Sequence, residues 1–308
     1  MIANFPLIFF SVVMGLGGLN LALERFFIFS NLNQAFIDFF AYFNLSIFII
    51  ISLFYLVKSI FYFSKVKGEF THPIKINFIS TIPISMLILA SLFNNIILFY
   101  DVFFYTALII QTYLSFFVIS FWINHNLDIK HSNPAYFIPI VGNLIIVLVA
   151  KQDYFWLWCF FGVAVFFWLI LFSIIFYRIL FHEQLPFKFM PTLFIMIAPP
   201  SVAFLDYVKL TKNLDFFASM LLGIAIFFVG LIIFMYKNFL KLKFFISWWA
   251  FTFPSATASL AFFKAYELNK EIFFYYLGTF TLLMLILMVI IVSFYTIKNI
   301  INKSVFEE

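Results

Sequence analysis

Charged side chains are scarce in this chain of 308 residues, and their scarcity decides the class of protein. Lys, Arg, Asp and Glu together make up 10% of the sequence, whereas soluble domains contain roughly 25%. Hydrophobic residues make up 66%, and Phe alone occurs 53 times. A bilayer accepts such side chains along every lipid-facing surface. The composition therefore excludes a water-soluble fold and predicts an integral membrane protein.

The groups that catalyse reactions or hold cofactors are also rare. Cys159 is the single cysteine, so no internal disulfide or cysteine-based metal cluster can form. No metal-binding spacing, phosphate-binding glycine loop or nucleophile elbow occurs. We therefore expect no enzyme, no metal and no cofactor. All four histidines fall in connections between apolar runs: His72, His125, His131 and His182.

Ten charge-free runs have the length that a membrane-spanning helix needs, about 20 residues. The connections between them are short, which predicts a single domain over residues 1–308. The fold class is therefore all-α, with ten transmembrane helices. The predicted spans are Phe5–Leu23, Phe39–Val57, Ile76–Tyr100, Val102–Ile123, Ala135–Ala150, Tyr154–Tyr177, Phe189–Leu205, Phe216–Tyr236, Phe244–Phe263 and Ile272–Ile297.

The basic residues lie between these runs and are not gathered on one face. The net charge of +5 therefore bears on the orientation of the helices in the membrane and does not indicate a nucleic-acid partner. If the amino terminus is cytoplasmic, twelve Lys and Arg residues fall inside and six outside. The positive-inside rule then places both termini in the cytoplasm. We expect a multi-pass protein of a cell membrane, the inner membrane of a bacterium.

Prolines within the spans occur in the odd-numbered helices alone. They are spaced 56, 60 and 55 residues apart from the third helix to the ninth, which is the length of a helical hairpin. We infer five hairpins of similar build. The predicted kinks are at Pro6, Pro83, Pro139, Pro199 (followed by Pro200) and Pro254.

A proline in a membrane helix frees a carbonyl group that protein or water must satisfy, and lipid offers neither. The odd helices are therefore predicted to form an inner ring around a pore, inside an outer ring of even helices. Small and polar residues on the odd helices can line that pore, although packing between helices uses the same residues. The pore-lining candidates are Gly15, Ser85, Asn143, Ser201 and Thr257.

The ten runs contain no Asp, Glu, Lys, Arg or His. A coupled pump or carrier usually has an ionisable residue at membrane depth, so the sequence favours passive conduction. A pore without an anionic ring does not repel anions, and basic residues at the cytoplasmic mouth concentrate them. The carbonyls that prolines free would favour cations instead, and this alternative stays open.

Five motifs, one in each odd span, resemble those of the tellurite-resistance/dicarboxylate transporter family. This family includes the plant guard-cell slow anion channels and fungal malate and sulfite transporters. The resemblance covers essentially the whole chain. The motifs are Met14–Leu19, His72-Pro73 with Ile82-Pro83, Asn133-Pro134 with Ile138-Pro139 and Gly142-Asn143, Ala198–Pro200, and Trp248–Pro254.

The resemblance implies five hairpins, a pore through the inner ring and a homotrimer with one pore per subunit. By the Trp248–Pro254 match, it also implies that Phe253 plugs the pore. The expected function is a passive channel for small inorganic or organic anions, in contact with membrane lipid. The alternative is a secondary carrier or exporter for dicarboxylate, sulfite or tellurium oxyanions.

Overall fold

The structure, a computed structural model, describes residues 1–29 and 34–307, and their regular secondary structure is entirely helical. Twelve α-helices lie in these residues. They are α1 (Phe10–Phe27), α2 (Gln34–Phe61), α3 (Phe63–Phe70), α4 (Thr81–Leu92), α5 (Ile97–Asn124), α6 (Ile138–Val149), α7 (Leu157–Phe181), α8 (Ala198–Thr211), α9 (Phe216–Phe234), α10 (Tyr236–Leu240), α11 (Thr252–Asn269) and α12 (Ile272–Ile301).

Eight helical segments of the described residues are long and apolar enough to cross a membrane, and Pro134–Val149 is a shorter apolar segment. Burial divides them into two groups. In Phe187–Thr211 the most apolar stretch is 83% buried, whereas in Gln34–Phe61 it is 17% buried. The segments that contain α1, α4 and α8 are the buried ones, and α2, α5, α7, α9 and α12 expose large apolar surfaces. The long, proline-free helices are therefore the exposed ones.

Each of the buried segments begins as a 3-10 helix and continues as an α-helix. This feature is shared by five places in the chain, each directly before or a few residues before an α-helix: Leu7–Phe9, Lys75–Phe78, Pro134–Phe137, Phe187–Ile197 and Ile246–Phe251. A 3-10 helix is narrower and longer per residue than an α-helix. The change from one to the other takes place near the prolines that the sequence singles out.

Pro83, Pro139, Pro199 and Pro254 lie in the first turn of an α-helix, the position at which a helix tolerates proline best, whereas Pro6 directly precedes the 3-10 helix Leu7–Phe9. Pro139 and Pro199 are each the second residue of their helix, α6 and α8. The carbonyl that Pro139 leaves free, that of Ala135, accepts a hydrogen bond from the Ile138 N–H instead. The carbonyl of Ile195 likewise accepts from the Ala198 N–H.

The structure corrects several predicted bounds; the ninth span, for example, is predicted to end at Phe263, whereas α11 continues to Asn269. The predicted third span, Ile76–Tyr100, is broken, because α4 ends at Leu92 and α5 begins at Ile97. The break contains Asn94 and Asn95, whose short polar side chains compete with helical hydrogen bonds. The predicted seventh span ends at Leu205, whereas α8 continues to Thr211.

Close approach of α1 to its neighbours depends on glycine. A Cβ atom at Gly18 would lie 2.8 Å from the Cβ of Ala256 and 3.4 Å from Cδ2 of Phe253. A Cβ atom at Gly15 would collide with the side chains of Thr252 and Trp249. The glycines of α1 thus let this helix pack directly on α11, the helix that contains Phe253.

Polar side chains join the buried helices to the exposed ones. The Asn44 amide donates to the Val13 carbonyl (3.2 Å), linking α2 to α1. The Gln111 amide donates to the Pro139 carbonyl (2.7 Å), linking α5 to α6. Such bonds are favourable in an apolar surrounding because the groups would otherwise have no partner.

Candidate pore and vestibule

A narrow cavity of about 40 Å³ lies where the five 3-10-to-α segments converge. Its volume is enough for a few water molecules at most. Apart from Ser11 and Thr81, its lining is apolar. The lining residues are Ile8, Ser11 and Met14 at α1, Phe78, Thr81 and Ile84 at α4, Ile138 and Val141 at α6, Ile195 and Ala198 at α8, and Trp249, Ala250, Phe253 and Pro254 at α11.

Phe253 lies in the wall of this constriction, in the first turn of α11 and beside Pro254. Its side chain is nearly fully buried. Gly18 lies against the ring, and the absence of a side chain there gives the ring room. The structure thus brings the sequence-predicted gate residue into contact with the narrow cavity.

The neighbouring aromatic residues have other partners. Phe251 packs against Phe194, with ring centroids 4.7 Å apart, and against Phe239 at 5.8 Å. Trp249 donates from its Nε1 to the Thr296 hydroxyl of α12 (2.9 Å), which fixes the indole in the cavity wall. Of the two phenylalanines in this turn, only Phe253 lines the constriction.

A wide vestibule of about 760 Å³ adjoins the constriction at the end of the bundle that contains both termini. Ile8 and Phe78 line both spaces. The charged and titratable groups of the vestibule wall are mostly basic. They are Lys58, Lys65, Lys75, Lys188 and His72, with the acidic residues Glu69 and Glu307.

A buried ion pair braces the vestibule wall. Lys58, near the end of α2, donates to a Glu69 carboxylate oxygen at 2.7 Å and to the Phe5 carbonyl at 2.8 Å. The Tyr55 hydroxyl donates to the second Glu69 oxygen at 2.9 Å. Because Lys58 neutralises Glu69, the positive charge of the vestibule comes from Lys65, Lys75 and Lys188.

His72 closes the turn that leads into α4. Its Nδ1 accepts hydrogen bonds from the Ile74 N–H (3.1 Å) and the Lys75 N–H (3.3 Å). Burial, followed by the charge of Lys75, lowers the pKa of His72 below its ordinary value. The neutral ring is the form that can accept these bonds, so His72 does not add to the charge of the vestibule near neutral pH.

The five pore-lining candidates lie outside this cavity. Their polar groups form hydrogen bonds within their own helix or to a neighbouring helix. That they line the pore beyond this cavity stays a prediction. The hydroxyl groups of Ser85, Ser201 and Thr257 donate to the carbonyls of Phe10 (2.9 Å), Ile197 (2.7 Å) and Pro254 (2.8 Å), Asn143 Oδ1 accepts from the Ser115 hydroxyl (3.0 Å), and Gly15 packs on Thr252.

Charged residues do occur inside the helices, which the charge-free runs did not indicate. Asp206 and Lys209 lie within α8, Arg178 within α7 and Lys58 within α2, because these helices extend past the predicted spans. Asp206 is fully buried, although Asp is normally exposed. The charge-free runs did not include Asp206, because it is the first residue beyond the predicted seventh span.

A bundle of apolar helices that encloses a narrow apolar cavity, with a basic vestibule beside it, is typical of a membrane transport protein. The chain belongs to the SLAC1 family, described as voltage-dependent anion channel, whose family model matches residues 4–297. The resemblance read from the five motifs is therefore confirmed.

Curated relatives include plant and archaeal proteins. The S-type anion channel SLAH2 of Arabidopsis thaliana is 28% identical over 71% of this chain and 43% of its own length. The guard cell S-type anion channel SLAC1 of the same plant is 26% identical over 73% of this chain and 42% of its own. The uncharacterized transporter MJ0762 of Methanocaldococcus jannaschii is 26% identical over 82% of each chain. The chain thus spans less than half the length of these plant relatives.

Proposed function

We propose that this protein is a passive channel for small anions and that the Phe253 ring closes its pore. The observation that carries the proposal is the apolar constriction, which is lined by all five of the 3-10-to-α segments and includes Phe253. An apolar passage this narrow loses its water, and ions cannot cross it without water. A phenylalanine in its wall closes it without needing a charged partner.

Three features favour anions. Among residues 1–29 and 34–307, no acidic residue lines the constriction. Lys65, Lys75 and Lys188 lie in the vestibule that leads to it and would raise the local anion concentration. The carbonyls that Pro139 and Pro199 leave free, which would otherwise attract cations, already accept 3-10 hydrogen bonds.

The relatives support the same reading, since those from Arabidopsis are named as S-type anion channels. The finer architecture belongs to this proposal as well. It comprises five hairpins with an inner ring around the pore, a homotrimer with one pore per subunit, and both termini in the cytoplasm of a bacterial cell.

Truncation of Phe253 tests the gate. We expect Phe253→Ala to raise anion conductance at least about tenfold, since removal of a barrier of about 1.4 kcal/mol already gives a factor of 10. Planar-bilayer recording of purified protein in asymmetric chloride measures both the unitary current and, from the reversal potential, the sign of the permeant ion.

Phe251→Ala is the matched control, because Phe251 has the same side chain two residues away and packs on Phe194 outside the constriction. It should leave the conductance within about twofold of the wild type. A Phe253→Ala protein that inserts normally and conducts no more than the wild type would place the gate elsewhere. A cation-selective reversal potential would overturn the anion assignment.

One observation favours a second candidate, a coupled carrier. Asp206 is an ionisable residue at membrane depth, a feature common in proton-coupled carriers. A carrier would show uptake of a dicarboxylate, sulfite or tellurite that saturates with substrate and responds to a proton gradient, without unitary currents. Proteoliposome uptake with and without a pH gradient separates the two candidates.

A further inference from the structure

An unpartnered carboxyl group lies inside the bundle. Asp206 of α8 is fully buried, and neither carboxylate oxygen has a hydrogen-bond partner among the described residues. Ala198 at the start of the same helix lines the constriction, so Asp206 lies about 12 Å further along the helix axis, toward the end opposite the vestibule. An ionised carboxylate is strongly unfavourable in such a place, whereas a neutral acid is tolerated.

The nearest positive charge, that of Lys209, is engaged elsewhere. Its Nζ donates to the carbonyls of Val147 (2.7 Å), Leu148 (2.9 Å) and Ala150, at the C-terminal end of α6. Carbonyls at a helix end lack intrahelical partners and attract a cation. Lys209 is three residues from Asp206, a spacing at which helical side chains can meet. The lysine therefore has two alternative partners, and the structure shows one of them in use.

The other elements packed on α8 offer Asp206 no counter-charge. By sequence, α6 and α9 contain no ionisable side chain. In α11, Lys264 and Glu267 pair with each other. The remaining charged groups of the adjoining elements lie toward the helix ends: Arg178 near the end of α7, Lys188 at the vestibule, Lys212 paired with Asp153, and Glu267 also paired with Arg25.

We propose that Asp206 is a proton-binding site and that Lys209 moves from the α6 carbonyls to the Asp206 carboxylate when the proton leaves. With the proton bound, the neutral acid needs no cation and Lys209 caps α6, as in the structure. When the proton passes to water, the carboxylate attracts Lys209, and three carbonyls of α6 lose their donor. Because α6 lines the constriction through Ile138 and Val141, proton binding is linked to the shape of the pore.

Infrared spectroscopy of the purified protein tests the proton site without any transport assay. The wild type should show the carbonyl stretching band of a protonated carboxylic acid at neutral pH, and Asp206→Asn should lose that band. If the Asn variant fails to fold, Asp206→Leu, which is uncharged and also branched at Cγ, takes its place. Asp153→Asn, which removes a half-exposed carboxylate, should keep the band. If folded Asp206→Asn keeps the band, the proposed proton site is wrong.

Lys209→Met tests the exchange. Without the lysine, the ionised carboxylate has no cation to pair with and is less stable. The pH at which the band disappears should therefore rise by about one unit or more. An unchanged midpoint would show that Lys209 does not respond to the proton.

The link to the pore rests on the proposed function, and bilayer recording tests it separately. Wild-type currents should change with pH, and those of Asp206→Asn should not. Equal pH dependence in both proteins would overturn the link. If neither protein conducts, the channel proposal fails while the infrared result still decides the proton site.

Discussion

At the scale of single residues, the buried charges are the most informative feature of this protein. Lys58 and Glu69 form a pair that is shielded from solvent and completed by Tyr55 and the Phe5 carbonyl. Because the hydrogen bonds and charges of these groups are all matched within the cluster, burying the cluster costs little free energy while it is complete. Removing one member leaves a buried charge without a partner, which is far more unfavourable.

We therefore expect Lys58→Met to lower the free energy of unfolding by about 3 kcal/mol. The double variant Lys58→Met/Glu69→Leu should recover at least half of this loss, because it removes both charges. Thermal unfolding of the purified protein in detergent measures both.

Lys65→Met is the control, because Lys65 lies on the same vestibule wall but is exposed. Its effect should stay within about 0.5 kcal/mol. Equal losses for Lys58→Met and Lys65→Met would show that the buried pair does not contribute.

At the scale of elements, the junction between 3-10 and α-helix is the recurring unit. It repeats in each of the segments that line the constriction, and it explains how proline is tolerated there without an unsatisfied carbonyl. The prolines therefore mark the place where the helix geometry changes. The residues that line the narrow cavity cluster around these places, as Ala198, Phe253 and Pro254 do.

Replacement of proline at these junctions should change conduction more than stability. For Pro254→Ala and Pro139→Ala we expect a change in unfolding free energy of at most about 1 kcal/mol, because both prolines lie in the first turn of their helices, where a missing N–H costs little. Pro254 lines the constriction and Pro139 does not. In bilayer recordings, Pro254→Ala should alter the open conductance at least about twofold and Pro139→Ala less.

Two outcomes would contradict this view of the junctions. Unfolding of either variant would show that the ring of proline is needed for the fold itself. Identical currents in both variants and the wild type would show that these prolines contribute to helix packing and not to conduction.

At the scale of the whole molecule, charge is distributed unequally between the two ends. The vestibule end contains Lys65, Lys75 and Lys188, whereas at the opposite end basic residues such as Lys212 and Arg25 form ion pairs with Asp153 and Glu267. This asymmetry agrees with the twelve-to-six division of Lys and Arg residues read from the sequence. By the positive-inside rule we therefore expect the vestibule to face the cytoplasm.

Cysteine labelling checks this orientation in a Cys159→Ser background. Lys65→Cys and Lys241→Cys should react with a membrane-impermeant maleimide only after the cells are permeabilised. Lys270→Cys and Lys212→Cys, both exposed, should react in intact cells. Labelling of Lys65→Cys from outside would reverse the orientation.

The sequence alone determined the class of protein and the position of most helices, because a bilayer imposes strict demands on length and on charge. It also singled out the odd helices by their prolines and pointed to Phe253 through the motif that contains it. The class, the helix positions and the odd helices rest on composition and spacing, which are local properties of the chain, whereas Phe253 rests on the resemblance of its motif to a known family. They needed no knowledge of which helices meet.

Only the tertiary structure decided which side chains face the narrow cavity and which charges are buried. Gly15 packs on Thr252 of α11, Asn143 bonds to Ser115 of α5 and Thr257 bonds to Pro254 of its own helix, so none of these three candidates faces the narrow cavity, because the direction of a side chain depends on how its helix is rotated against the others. Asp206 looked like a residue at the end of a span. Its burial depends on the helices that pack on α8, among them α6 and α11, which lie far from it in sequence.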